Sequence, residues 1–353
     1  MTLHLNKKIT ALDTIVYRNY RIAHALRITL AFVLTFLIVR LMHVPEGSWP
    51  LITLVVVMGP ISFWGNVVQR VLERVAGTVC GSLSGLLALR LEVYSLPLML
   101  VWCAVTMFVC GYLTLGKRPY MALLIGITMG VVCGAAPADI ETAMWRSCDV
   151  VFGSLLALLF TSIYAQKACI HWRMQMASYF VALNKLYSAW SSPNMLERPR
   201  LEHRLKATLA QVVKMRTLIS PACKESHIPR DIFEAIQTIS RNLLCTMELL
   251  ADAYWSSRES HFLMLNAQTL RNTQLLTLDA LSELSEFLLT GSAWQELTFI
   301  DKLETASDEL QLLMRELNSS ELETAVYGYV WLSMQLAAQL KEMADLISLT
   351  MRK

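Results

Sequence analysis

Six ionisable residues lie inside or at the edges of otherwise apolar runs: His24 and Arg27, Glu73 and Arg74, Arg146 and Asp149. A group of this kind is costly to keep in an apolar run, which makes each one a functional candidate. A guanidinium offers a carboxylate two parallel hydrogen bonds, so Arg27 and Arg74 are candidates for binding an anionic substrate. Arg27 has a plainer alternative, because its long stem can carry the charge to a nearby water surface. Glu73 lies three residues after Arg70, and Asp149 three after Arg146. That spacing puts each carboxylate on the face of its arginine, where a structural ion pair is the plain reading. Proton carriage by Glu73 or Asp149 is the sharper one, and it requires burial that favours the neutral acid. Phe63 and Trp64 supply ring faces for an aromatic substrate.

Other chemistries find no support. Gly111 to Lys117 matches the opening of a phosphate-binding loop, but Arg118 stands where a magnesium-binding Ser or Thr is needed. The eight cysteines form no CxxC or Cys/His cluster and read as small buried apolar residues. No motif of an enzyme, cofactor site or metal site is present, and none of these is expected. The net charge of +3 gives no footprint for nucleic acid.

The elements that hold these residues follow from composition. The chain is 55% hydrophobic and only 17% charged, against about 25% charged in soluble domains. Charges are uneven: residues 1–165 hold 12 Lys/Arg and 7 Asp/Glu, residues 166–353 hold 19 and 21. Six apolar runs fill the first part: Ile22–Leu41, Trp49–Val68, Val75–Leu89, Ser95–Gly116, Pro119–Ala138 and Val150–Gln166. A membrane-crossing helix needs about 20 residues, and arginines at its ends can snorkel. The expectation is an all-α chain: a six-span membrane domain over 1–165, then a water-soluble helical bundle over 166–353. Lys and Arg gather at the N-terminus, between runs two and three, between runs four and five, and after run six at Lys167 and Arg173. By the positive-inside rule, both termini and the second domain are then cytoplasmic.

Within the spans, Gly77, Gly81 and Gly85 form one helix face and Gly126, Gly130 and Gly134 another. Both faces allow close helix packing. Gly59-Pro60 should break the second span, and broken helices often mark transporter sites. Arg70 to Gly77 echoes Arg146 to Gly153 in spacing, a hint of a 3+3 inverted repeat. In the second domain, breaks are expected at Ser191–Pro193, Ser220-Pro221, Ile228-Pro229, Ser256-Ser257, Gly291 and Asn318–Ser320, with a Ser320/Glu323 capping box. Its first helix is expected to run on from the sixth span towards Trp190.

Trp49-Pro50, the string Arg70…Arg74-x-x-Gly77-Thr78-x-x-Gly81-x-x-x-Gly85, and Arg146…Gly153 resemble the fusaric acid resistance family, which includes aromatic acid exporters. His171-Trp172-Arg173 and Glu197 to Glu202 add a similarity to its half-length enterobacterial inner-membrane members. The resemblance implies efflux of small, often aromatic, organic acids across the inner membrane, with the lipid bilayer and the substrate anion as partners. Many family exporters carry two membrane blocks, so this single block points to a homodimer. A periplasmic accessory subunit is left open. The reading is therefore a proton-coupled export carrier with Arg27, Arg74, Phe63 and Trp64 at the substrate and Glu73 and Asp149 at the proton. An anion channel of the same fold and a membrane-anchored scaffold or sensor are the alternatives.

Overall fold

The computed structural model describes residues 8–43, 47–58, 63–133, 140–163, 166–195, 197–256, 262, 264–291, 299–317 and 324–352. The fold is all-helical; among the described residues the β-type pairing is a single isolated bridge between Phe63 and Gln166. The helices are α1 (Ala11–Arg18), α2 (Tyr20–Leu41), α3 (Ser48–Met58), α4 (Trp64–Tyr94), α5 (Leu96–Thr114), α6 (Pro119–Cys133), α7 (Ile140–Ile163), α8 (Ala168–Trp190), α9 (Glu202–Ser226), α10 (Arg230–Tyr254), α11 (Gln268–Thr290), α12 (Phe299–Leu317) and α13 (Thr324–Arg352). They divide into two compact units, Val16–Lys167 and Met1–Ile15 together with Ala168–Lys353.

In the first unit, α2, α4 and α5 are long and apolar enough to cross a membrane, while α3, α6 and Cys148–Ile163 are shorter apolar helices. Helix α5 buries Cys110 alone and leaves Val101, Phe108 and Tyr112 exposed. A bare apolar helix of this kind suits a lipid solvent, since water-soluble monomers rarely expose large contiguous apolar patches. Helix α4 is 31 residues long, or about 46 Å at 1.5 Å per residue, and so exceeds the ~30 Å hydrocarbon core. It starts at Trp64, after an extended Phe63. The stretch Trp64–Val68 therefore belongs to the helix of the third apolar run, not to the second. Gly59 and Pro60, the expected helix break, lie outside the described residues.

Glycines mark close helix contacts in this unit. A methyl group built at Gly77 would lie 2.8 Å from Leu124 Cβ, one at Gly81 2.7 Å from the Ile125 carbonyl oxygen, and one at Gly85 2.7 Å from Val132 Cβ. These contacts bring the α4 and α6 backbones together in parallel register. A methyl at Gly153 of α7 would lie 2.6 Å from the Pro50 carbonyl oxygen of α3. Gly126 instead packs on Met107 of α5, Gly130 faces open space, and Gly134 lies outside the described residues.

The second unit is built on α8, which buries Trp172, Met176, Phe180, Leu183 and Tyr187 and packs on α9 and α11, with Trp172 edge-on to Phe233 of α10, while α10 packs on α13. Helix α8 does not continue α7: the Gln166 carbonyl accepts the Trp64 N–H at 3.1 Å, and a new helix starts at Ala168. Nor does Pro221 end a helix, because α9 runs through it to Ser226. Its neighbours Leu218, Ile219 and Ala222 are buried with it, and that burial offsets the hydrogen bond proline removes. The helix ends instead at His227, in the left-handed region with φ 57°. Gly291 closes α11 in the same conformation. Arg173, expected as a membrane-flanking charge, is 1% exposed and donates through Nε (2.9 Å) and Nη2 (2.6 Å) to the Leu288 carbonyl. The Ser320/Glu323 capping box lies outside the described residues.

Candidate functional site

Arg74 is the focus of the first unit. It sits ten residues into α4 and is 7% exposed. Its Nη2 donates to Thr53 Oγ1 of α3 at 3.4 Å. Its Nε is buried without a partner among the described residues, and no carboxylate there pairs with it. Val71, three residues before Arg74 on α4, belongs to a buried apolar cluster with Leu54, Val57, Leu156 and Ala157. Removing a charge from water costs several kcal/mol unless good partners replace the solvent. One long hydrogen bond to a neutral hydroxyl is a weak replacement. The guanidinium thus keeps unused donor capacity among the described residues, which a carboxylate could fill with two parallel hydrogen bonds.

A polar track extends from Arg74. Thr78 and Ser82 follow at helical spacing on α4 and are buried, as is Ser154 on α7. Thr78 Oγ1 and Ser154 Oγ have no partner among the described residues. Helix α7 packs on both α3 and α4, so Thr53, Arg74, Thr78 and Ser154 come from three mutually packed helices. Sequence reasoning named Arg74 and passed over the hydroxyls. The signal was present as an i, i+4, i+8 polar stripe, Arg74-Thr78-Ser82, beside the glycine stripe.

The other candidates stand elsewhere. Phe63 is extended at the start of α4, and Trp64 is its first residue. Ten residues of helix separate Trp64 from Arg74, about 15 Å along the axis. One small acid therefore cannot touch both. Arg27 is half-buried on α2 and shares a 3.0 Å hydrogen bond with His24 Nδ1. Glu73 accepts a 2.7 Å hydrogen bond from Gln69 Nε2. Arg70 lies over the Tyr120 ring, 4.1 Å from its centroid. The Arg70–Glu73 ion pair expected from spacing is therefore not made; each group has found a different neighbour within reach. Asp149 is buried on α7, one turn before Gly153, whereas the Arg146 side chain lies outside the described residues. No group of three or more metal-ligating side chains occurs among the described residues.

Residues 33–160 match the profile of the family described as fusaric acid resistance protein-like. Over 352 residues, 99% of its length, the chain is 53% identical to the whole of inner membrane protein YeeA of Escherichia coli (strain K12). It is 29% identical over 169 residues to the p-hydroxybenzoic acid efflux pump subunit AaeB of Edwardsiella ictaluri, covering 43% of this chain and 26% of that protein. An uncharacterized protein of a Synechocystis strain is 26% identical over 212 residues, 56% of this chain and 28% of its own.

Proposed function

We propose, for a chain that belongs to the fusaric acid resistance protein-like family of membrane proteins, a carrier that exports small organic acids, chiefly aromatic carboxylic acids, across the inner membrane. The observation that carries the reading is Arg74: a buried guanidinium whose partner among the described residues is a single threonine hydroxyl. A substrate carboxylate replaces the missing acceptor. The named activity of the efflux-pump relative supports the choice of an aromatic acid. The ring meets Phe63 and Trp64 at the start of α4, and the carboxylate reaches Arg74 deeper along the helix, in successive positions along the path. Arg27 draws the anion in. Glu73 and Asp149 couple the movement to protons, Asp149 being the more buried.

The architecture of this proposal is six spans, both termini and the second unit in the cytoplasm, and two copies per transporter. The glycine contacts support an inverted repeat of two three-helix halves. Gly77 and Gly153 hold equivalent places in the echoed segments. Gly77 packs α4 on α6, and Gly153 packs α7 on α3. Those are the contacts that a two-fold exchange of the halves would interchange. Alternating access then works around the Gly59-Pro60 segment. That the efflux relative is a pump subunit supports a search for an accessory partner.

The test is uptake of labelled benzoate, hydroxybenzoates and short aliphatic acids into inside-out vesicles, with and without a proton gradient. Wild type should concentrate aromatic acids when the gradient is present, and Arg74→Gln at equal folded amount should not. Uptake that stops at electrochemical equilibrium would make the protein a channel. The absence of any flux above empty vesicles would overturn the transport reading.

A further inference from the structure

The second unit contains a cleft of about 160 Å³ between the end of α8 and the start of α11, closed on a third side by Met264 and Leu265. Its size is that of a cavity of roughly 150 Å³ known to accept one benzene ring. Leu275 and Leu278 of α11 supply apolar walls, and the Met264 thioether is well suited to a ring edge. Among the described residues, Arg271 is the one charged residue lining the cleft, and its side chain makes no ion pair or hydrogen bond there. Arg271, Gln274, Leu275 and Leu278 follow at i, i+3, i+4 and i+7, so one face of α11 presents a cation at one end and apolar surface at the other. Ser191 and Ser192, just past the end of α8, line the opposite side, the Ser191 hydroxyl donating to the Tyr187 carbonyl at 2.8 Å.

The cleft is backed by a buried tyrosine cluster. Gln274 Nε2 donates to the Tyr329 hydroxyl at 2.6 Å, and Tyr254 and Tyr329 lie 5.6 Å apart by ring centroid. Burial raises the Tyr254 phenol, and the positive charge of Arg271 pulls it the other way. Ser191 borders both the cleft and the small void among Tyr187, Tyr254 and Tyr329.

We propose that this cleft is an effector site for a monocyclic carboxylate, with the ring between Leu275, Leu278 and Met264 and the carboxylate on Arg271. A single cation and room for a single ring exclude nucleotides and polyanions on size and charge. A neutral ring leaves Arg271 uncompensated, and acetate leaves the apolar walls wet. Occupancy is felt by Gln274, and through it by the tyrosine cluster that joins α8, α10 and α13. The inference rests on the organic-acid reading for its ligand class, but it uses a different site from Arg74.

The experiment uses the full chain in nanodiscs, carrying Arg74→Gln so that the first unit contributes no carboxylate site. Benzoate is titrated while tryptophan fluorescence is followed, since Trp255 Nε1 donates to the Trp190 carbonyl beside the cleft (3.0 Å). Hydrogen exchange then locates the response. Saturable benzoate binding should protect residues 188–192 and 264–278. Benzyl alcohol and acetate should bind at least tenfold more weakly. Arg271→Gln, at an exposed position that does not threaten folding, should weaken benzoate at least tenfold, and Leu278→Trp should block it by filling the slot. No saturable response, protection elsewhere, or binding indifferent to both substitutions would overturn the proposal. A silent cleft with persisting vesicle flux removes this inference alone; benzoate binding here without any flux removes the transport reading alone.

Discussion

Arg74 and Arg173 are both buried arginines, one in each unit, and they differ in what surrounds the guanidinium. Arg173 aims two donors at the Leu288 carbonyl, near the end of α11, where helix carbonyls lack intrahelical partners. The negative end of the helix dipole adds to the match. Burial pushes this guanidinium down to about 10, still far above neutral pH, so it stays charged. Arg74 has one 3.4 Å bond to a hydroxyl and a buried Nε with no partner among the described residues. Arg173 completes a structure, whereas Arg74 keeps donors unused among the described residues, which is why the proposed substrate carboxylate is placed there. Burial alone does not separate the two arginines; the state of their hydrogen bonds does.

The largest effect expected from this contrast is on stability at Arg173. Arg173→Ala removes both bonds, leaves the Leu288 carbonyl without them, and opens a void in the α8–α11 contact. Losses of about 3–5 kcal/mol accompany such changes. The thermal midpoint of the full-length protein should fall, and the amides of α8 and α11 should exchange faster. An unchanged midpoint would remove the structural assignment.

A second effect comes from the same helix. His171 is buried on α8; burial first, and the Lys214 charge second, push it down to about 4. The unfolded chain takes up this proton near pH 6.5 and the native chain only near 4. Stability should therefore fall as pH drops through that window and level off below it, by on the order of 3 kcal/mol. The reading is the difference in thermal midpoint between wild type and His171→Gln from pH 7 to 4.5. The variant should flatten the curve; parallel curves would show that His171 is not held neutral.

The sequence made the helices legible because apolar runs are long: five of the six runs in the first unit coincide largely with a helix, while the second, Trp49–Val68, is divided between α3 and α4. Where it erred, a tertiary contact had overridden a local signal. Pro221 reads as a breaker, yet its buried neighbours carry α9 through it. Arg173 reads as a surface charge because its acceptor is 115 residues away along the chain, at Leu288. Val150–Gln166 reads as one helix with the segment up to Trp190, because nothing local announces the Phe63–Gln166 bridge. The candidate site was half visible. Arg74 could be named from its place beside Gly77, but Thr53 could not, since one threonine in an apolar run carries no mark of its partner.

Arg74 itself should behave unlike Arg173. Arg74→Lys keeps the charge and loses the paired donors, so apparent substrate affinity should drop roughly tenfold or more, equivalent to about 1.5–3 kcal/mol. Arg74→Gln removes an incompletely satisfied buried charge, so folded yield should not fall. Flux normalised to folded protein checks both. A lysine variant with unchanged affinity, or a glutamine variant that only lowers yield, would return Arg74 to a structural role.

Arg70 gives the smallest effect and a third way of housing the group. It lies one turn before Arg74 on α4, half-buried, with its guanidinium carbon 4.1 Å from the Tyr120 ring centroid of α6. A cation over an aromatic face contributes about 0.5–1 kcal/mol at exposed sites and about 2 where water is excluded. The same stretch of α4 approaches α6 at Gly77, so the ring contact and the glycine contact secure one helix pair. Tyr120→Leu should lower stability by about 1 kcal/mol, while Tyr120→Phe, which keeps the ring, should be nearly silent. Glu73→Gln should leave Arg70 undisturbed, since Glu73 is bonded to Gln69. A double-mutant cycle of Arg70→Met with Tyr120→Leu isolates the interaction, which should appear as a coupling near ~1 kcal/mol. Additive single changes would show that Arg70 draws nothing from the ring. Coupling to Glu73 instead would restore the ion pair that residue spacing alone predicts.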